Sequence, residues 1–264
     1  MRHIPCPIGP HRASLPDRES RYHNDIGRFV YHHLGASMET AFEQTLNEAL
    51  TALKISLPPG GVSLCRRHFE RLIEANRHFN LTRITDPADA ALKHYADSLA
   101  LLNAPWIGRD APLRVLDVGT GAGFPAFPLA TACPAWQVTA IDGTAKKVRF
   151  VAEAASELGV TNLRAEHVRG EDLARISSAR YDLITLRAVT DLADGLKKLH
   201  ALLKPGGRIV FYKTSQIDLK ERSEGETAAR ALGLAILEPF ELKLAYNNEM
   251  LGRLLLAYGQ FSRS

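Results

Sequence analysis

The chain has 264 residues, 45% apolar and 23% charged, an ordinary globular composition with room for one large core and a small accessory region rather than two equal domains. No apolar run reaches the roughly 18 residues of a membrane span, and the N-terminus lacks the basic start and apolar stretch of a secretory signal, so a cytoplasmic protein with no membrane partner is expected. The formal net charge of +4 carries little information about partners, because residues 1–37 alone hold five arginines against three acids; a polyanion site must be a local cluster.

The three cysteines, Cys6, Cys65 and Cys133, are far apart and show no C-x-x-C spacing. They predict free thiols in a reducing compartment, no disulfide framework and no metal site. Residues 1–37 carry half of the ten histidines and four prolines without helical or strand periodicity. A metal- or nucleic-acid-binding tail is one reading of them. A disordered extension, or sequence upstream of a true start at Met38, is the simpler reading.

From Met38 onward the pattern becomes regular. Phe42, Leu46, Ala49, Leu50 and Leu53 predict an amphipathic helix over 39–54, and Leu64, Phe69, Leu72, Ile73 and Phe79 another over 62–79, with the breaker LPPGG between them. A third helix is expected over 87–103, with Pro87 in its first turn. These make a helical N-terminal region, 38–104. Residues 105–264 then alternate: strands at 113–118, 136–141, 163–168, 181–186 and 208–213, helices at 125–132, 144–158, 191–203 and about 216–232, and two closing apolar runs at 234–240 and 254–258 read as an antiparallel pair. That order predicts an α/β fold built on a mainly parallel, doubly wound sheet.

In such sheets ligands bind beyond the carboxyl ends of the strands. The first loop there is VLDVGTGAGFPAFPLA, residues 115–130. Gly119, Gly121 and Gly123 allow a tight turn and close backbone approach. A nucleoside triphosphate loop is excluded, since Phe124-Pro125 stand where a Lys and a Ser or Thr would be needed. A dinucleotide is disfavoured by Phe124 in place of a third spaced glycine, although Asp142, at the end of the second strand, would suit the ribose of either remaining class. Asp117 beneath the glycines would repel a pyrophosphate but complements an ammonium group, which favours S-adenosylmethionine. A ligand-free glycine turn with a capping acid remains the third alternative. The stretch LLKPGGRIVFYK, with Pro205-Gly206 central in a turn, has a form that methyltransferases often use.

The other strand ends bear on the substrate. Lys146, Lys147 and Arg149 follow strand two, Arg187 follows strand four and Lys213 ends strand five. A basic rim round a methyl-donor pocket suits a phosphate-rich substrate, while a merely solvated helix face explains the first three equally well. Arg187 directly after an apolar strand must meet something polar or anionic. His94, beside Lys93, is either a ligand contact or a packing residue. After strand four the chain reads RAVT, not the Asn or Asp followed by two prolines and an aromatic used to methylate exocyclic amines. A ring nitrogen such as guanine N7 has its own lone pair, so its methylation needs alignment and not a general base.

Taken together, NLTRITDPADAALKHYADSL (80–99), the glycine loop with its P-x-x-P, IDGTAKKVRFV (141–151), RGED (169–172), DLITLRAV (182–189) and GGRIVFYK (206–213) resemble the bacterial small-subunit (16S) ribosomal RNA guanine-N7 methyltransferase family, also called glucose-inhibited division protein B or methyltransferase G. The resemblance runs from about residue 39 to 258. It implies a class I, Rossmann-like methyltransferase fold with a seven-stranded sheet and S-adenosylmethionine as cofactor. It implies cofactor contacts by Gly119, Phe124, Asp142, Gly170, Glu171 and Arg187, the last at the methyl-transfer face as the catalytic residue, and an RNA-facing rim that includes the lysines near 146 and Lys213. Ribosomal RNA or the small ribosomal subunit is the implied partner, and a monomer is expected. The chain departs from the family at Ala75-Asn76, where Trp-Asn is usual, at Ala126 and Thr214, where glycines are usual, and at 252–259. A paralogue methylating a small molecule or another RNA, and a non-catalytic module that senses S-adenosylmethionine, are the rival readings.

Overall fold

The computed structural model describes residues 40–109, 111–246 and 249–260, all within a unit that spans 39–264; the expected extension at 1–37 lies outside the described residues. Helix α1 (40–53) buries Phe42, Leu46, Ala49, Leu50 and Leu53, the stripe its spacing predicts. Helix α2 (Gly61–Asn76) starts after Gly60, whose φ of +78° lies in the left-handed region that glycine tolerates, and it buries Cys65, His68, Phe69 and Leu72. The periodicity had suggested a helix to 79. It stops at Asn76, whose side-chain oxygen accepts from the Leu81 and Thr82 amides while its nitrogen donates to Thr82 O, pulling the chain into a turn.

The third helical run begins where Asp86 caps the Asp89 amide and Pro87 occupies the first turn. It is not one regular helix. Helix α3 (Pro87–Ala90) widens into a π-helical turn, Ala91–Ala96, then passes through α4 (Asp97–Leu99) into a 3₁₀ turn at Ala100–Asn103.

The sheet follows. Strands β1 (Arg114–Val118), β2 (Gln137–Asp142), β3 (Leu163–His167), β4 (Tyr181–Arg187) and β5 (Leu203–Thr214) are parallel, in the spatial order β3-β2-β1-β4-β5. Chain order reverses between β1 and β4, which is where the glycine loop lies. Helices α5 (Ala126–Ala132) and α6 (Ala145–Leu158) join the N-terminal helices in one apolar cluster. Helices α7 (Gly170–Ile176), α8 (Leu192–Leu199) and α9 (Leu219–Ala231) share the other. Alternation along the strands feeds both: Val115, Leu183 and Val210 enter the first cluster, and Leu116, Ile184 and Ile209 the second.

Strand β8 (Glu249–Gln260) runs antiparallel to β5, and its other edge carries both β6 (Leu234–Ile236) and β7 (Phe240–Tyr246). Among the described residues the sheet therefore has eight strands in seven positions. The edge position is split between Ile236, opposite Tyr258, and Phe240, opposite Leu255; Pro239, without an amide hydrogen, lies in the gap. The closing antiparallel element is thus longer than the two apolar runs suggested. Helix α7 was not anticipated, because it is seven residues long and buries only Leu173, so it carries no periodic signal.

Candidate functional site

The loop after β1 is drawn toward β2 by its backbone: the Gly119 and Thr120 amides both donate to Ile141 O, at 2.8 and 3.0 Å. Gly119, Gly121 and Gly123 take φ of +71°, +59° and +96°. At Gly119 the need for glycine is double, since a Cβ there would lie 2.4 Å from Val189 Cγ2. Asp142 closes the other side of the turn, accepting from the Gly121 amide on Oδ2 (3.1 Å) and from the Thr144 amide on Oδ1 (2.8 Å), with Lys147 Nζ 3.8 Å away.

Beside this turn is a cavity of about 520 Å³, a size typical of small-ligand sites. Of the residues singled out from sequence, Gly119, Asp142, Lys147, Gly170 and Glu171 line it together, although they come from the loop after β1, the end of β2 and the starts of α6 and α7. Its apolar walls include Val118, Ile141, Val168, Leu186 and Leu199, and its charged and polar groups are Asp142, Lys147, Arg169, Glu171, Thr190, Asp194 and Lys198. The Lys198 ammonium, 2.8 Å from Asp194, holds that carboxyl below its usual range. Ala188 lines the cavity with φ +56°, an uncommon conformation for a residue with a Cβ, immediately after β4.

The remaining singled-out residues are not in the cavity lining. Asp117 is fully buried under the loop; Thr185 donates to Oδ1 at 2.8 Å, Oδ2 has no partner, and burial lifts its pKa to about 6. Phe124, at the head of a cis bond to Pro125, packs toward the N-terminal helices, its ring stacked on His94 at 4.6 Å and edge-on to Tyr95 and His68. Arg187 turns the same way. Its guanidinium lies 5.9 Å over Phe124, donates to Lys93 O at 2.6 Å, and pairs with the buried Asp97 at 3.2 Å.

Among the basic residues, Lys146 is exposed with its ammonium 5.6 Å over the Phe79 ring, and Arg149 is exposed on the same helix. Lys213 is engaged inside the protein, 2.7 Å from Glu221 and 3.0 Å from Thr190 O, so it braces the loop that lines the cavity. Among the described residues no group of three or more His, Cys, Asp or Glu is arranged to hold a metal, and no helix is long and apolar enough to cross a membrane.

The family described as GidB, rRNA small subunit methyltransferase G, matches this chain over residues 62–240. The chain belongs to that family. A curated relative from Anaeromyxobacter sp. (strain Fw109-5), named ribosomal RNA small subunit methyltransferase G, is 38% identical over 217 residues, 82% of this chain and 98% of its own. The like-named protein of Solibacter usitatus (strain Ellin6076) is 36% identical over 182 residues, 69% of this chain and 84% of its own. Among solved structures, that of the [4+2]-cyclase SpnF superimposes with a TM-score of 0.51 at 19% identity, covering 64% of this chain and 82% of that one, a likeness of fold alone. The family match takes in every residue that lines the cavity.

The cavity lining includes residues that the motif reading passed over. Thr190, Asp194 and Lys198 lie on the α8 side of the cavity, and the only signal for them was the capping pattern that starts α8, with Asp191 accepting from the Asp194 amide. Asp97 and Arg253 were also missed as functional candidates. The buried Asp97 carboxylate takes Arg187 on one oxygen and Arg253 on the other, tying the helical run to β4 and β8. Nothing in the sequence sets Asp97 apart from Asp89, the other acid of the 87–103 run.

Proposed function

We propose that the protein transfers a methyl group from S-adenosylmethionine to N7 of a guanine in small-subunit (16S) ribosomal RNA, working as a cytoplasmic monomer without a metal ion. The observation that carries this reading is that the matched family, named for methylation of small-subunit rRNA, covers the whole cavity at the switch point of the sheet. The residues present fit the cofactor. Asp142 spends one lone pair of each oxygen on a backbone amide and keeps acceptor capacity for a ribose diol. The apolar walls suit an adenine ring. Asp117 Oδ2, buried without a partner, favours a positive charge above the loop.

S-adenosylmethionine, when bound, supplies an electrophilic methyl group on a sulfonium. Gly119 and Gly121 let the backbone approach that ligand, Asp142 orients its ribose, and Gly170 and Glu171 at the start of α7 back its base. Guanine N7 already carries the attacking lone pair, so the chain has to align the base and tolerate the cation formed. No proton acceptor is required, in keeping with the site: burial lowers His94 to about 4 and His68 to about 3. Arg187 holds the base by O6 or an adjoining phosphate. Its Nη1 is the least committed donor, with only a 3.4 Å contact to Ser98 Oγ. Exposed Lys146 and Arg149, with Lys147 at the cavity edge, meet RNA phosphates, while Lys213 acts through the 188–190 loop.

The test is to incubate the purified protein with labelled S-adenosylmethionine and small ribosomal subunits from cells that lack this modification, then digest the RNA. Label in 7-methylguanosine is expected. Label in another nucleoside, or none, would refute the reading.

A further inference from the structure

Arg187 meets three groups of one irregular turn: Lys93 O and His94 Nδ1, 2.6 and 3.3 Å from Nη2, and Asp97 Oδ2, 3.2 Å from Nε. A guanidinium only donates, so His94 Nδ1 is the acceptor and the ring proton sits on Nε2. That assignment closes on the other side. Nε2 lies 2.9 Å from Thr82 Oγ1, which receives its hydrogen and is free to point its own toward Ile84 O. Thr82 is itself fixed by the Asn76 side chain, through its amide at 3.0 Å and its carbonyl at 3.0 Å. The imidazole plane lies 18° from the Phe124 ring at 4.6 Å, in stacking contact with the glycine loop. Residues 93 and 97, and 94 and 97, are neighbours on one face at helical spacing, and this face lies in the π-helical turn at Ala91–Ala96 and at Asp97, which follows it.

We propose that His94 is a positioning residue for methyl transfer: held as the Nε2–H tautomer by Thr82, it sets the guanidinium plane of Arg187 through Nδ1 and the ring of Phe124 through stacking. This rests on the reading that Arg187 serves the transfer face. The charged and titratable groups around His94 are Arg187 on β4, His68 on α2, and Lys93 and Asp97 on its own helical run. Burial first, and then Arg187, keep His94 neutral, because a second ring N–H would point at a cation. A neutral histidine facing an arginine is an orienting group and not a base.

The experiment measures single-turnover methyl transfer to small ribosomal subunits, cofactor affinity by calorimetry and melting temperature. The variants are His94→Phe, His94→Asn, Thr82→Val and Arg187→Lys, with the double variant His94→Phe/Arg187→Lys. His94→Phe keeps the stack and loses both nitrogens; it should slow transfer by about tenfold, with cofactor affinity changed less than about twofold, in line with loss of a hydrogen bond to a charged group. His94→Asn, which restores an acceptor near Nδ1, should recover most of the rate. The double variant should be no slower than Arg187→Lys alone. The wild-type rate should show no limb that His94→Phe abolishes between pH 6 and 8. Full activity in His94→Phe, losses that multiply in the double variant, or such a limb would each overturn the proposal. If His94→Phe melts early, Thr82→Val leaves the ring in place and should show a smaller loss, again absent on the Arg187→Lys background; a loss that persists there would overturn it equally. Full activity in Arg187→Ala would instead refute the underlying reading of Arg187.

Discussion

Replacing Asp117 by Asn probes the electrostatics beneath the glycine loop without disturbing its shape. The carboxyl is buried in the parallel sheet, and burial raises its pKa from 3.8 to about 6 against the opposing hydrogen bonds and the Arg187 charge. A carboxyl with a higher pKa in the folded state than in the unfolded state binds its proton more tightly when folded. Between about pH 4 and pH 6 the native protein therefore holds more protons than the unfolded chain, and stability falls as pH rises through that window, then levels off. At about 1.36 kcal/mol per pH unit, the interval from 3.8 to about 6 is worth about 3 kcal/mol. Two histidines pull the other way: His68 and His94, lowered to about 3 and about 4, cost stability as pH falls below their unfolded value of 6.5. Comparing wild type with Asp117→Asn cancels them. The new amide group, placed where Oδ2 has no partner, adds an offset that does not vary with pH. Urea unfolding at pH 4, 5, 6 and 7, without cofactor, is the assay. The stability of the Asn variant relative to wild type should rise by about 2.5 kcal/mol from pH 4 to pH 7, short of the full interval because the unfolded carboxyl is already mostly ionised at pH 4. A difference flat to within about 0.5 kcal/mol, or one of opposite slope, would refute the argument.

Asp142→Ala should weaken S-adenosylmethionine binding by about 1–3 kcal/mol, since it removes the carboxylate that faces the cavity and tethers the Gly121 amide; calorimetry showing no change, or tight binding of NAD by the wild type, would contradict this. Gly119→Ala combines a φ of +71° with a Cβ 2.4 Å from Val189 Cγ2, so it should lower stability by about 1–3 kcal/mol, and adding Val189→Ala should restore only the part due to the clash. Asp97→Ala leaves Arg187 and Arg253 without their shared carboxylate and should cost about 3–5 kcal/mol in urea unfolding, with the melting temperature falling accordingly.

The sheet and its ligand edge were legible because the signals were local and strong. Apolar runs at strand period, glycines after β1 and an acid at the end of β2 each specify their own backbone, and five motif residues from separate stretches of the chain line one cavity. What escaped depends on contacts distant in sequence. The end of α2 is decided by Asn76 reaching Thr82, and the π-helical turn is occupied by an arginine 90 or so residues further on. Arg187 was expected to seek something anionic, but nothing in an apolar helix announces that Asp97 is the partner. Lys213 reads as a surface cation in sequence, whereas Glu221 and Thr190 O hold it to the protein. The edge strand reads as one run until Pro239 interrupts its hydrogen bonding to β8.

The most direct test of the central claim is single-turnover transfer of labelled methyl to small ribosomal subunits by wild type, Arg187→Lys and Arg187→Ala, with the product nucleoside identified by mass spectrometry. Wild type should yield 7-methylguanosine. Arg187→Ala should be slower by at least about tenfold, equivalent to ~1.4 kcal/mol of transition-state stabilisation, and Arg187→Lys should also lose rate because one ammonium cannot meet Asp97, Lys93 O and His94 together and still offer a donor to the base. Undiminished transfer by Arg187→Ala, or label recovered in any nucleoside other than 7-methylguanosine, would contradict the account.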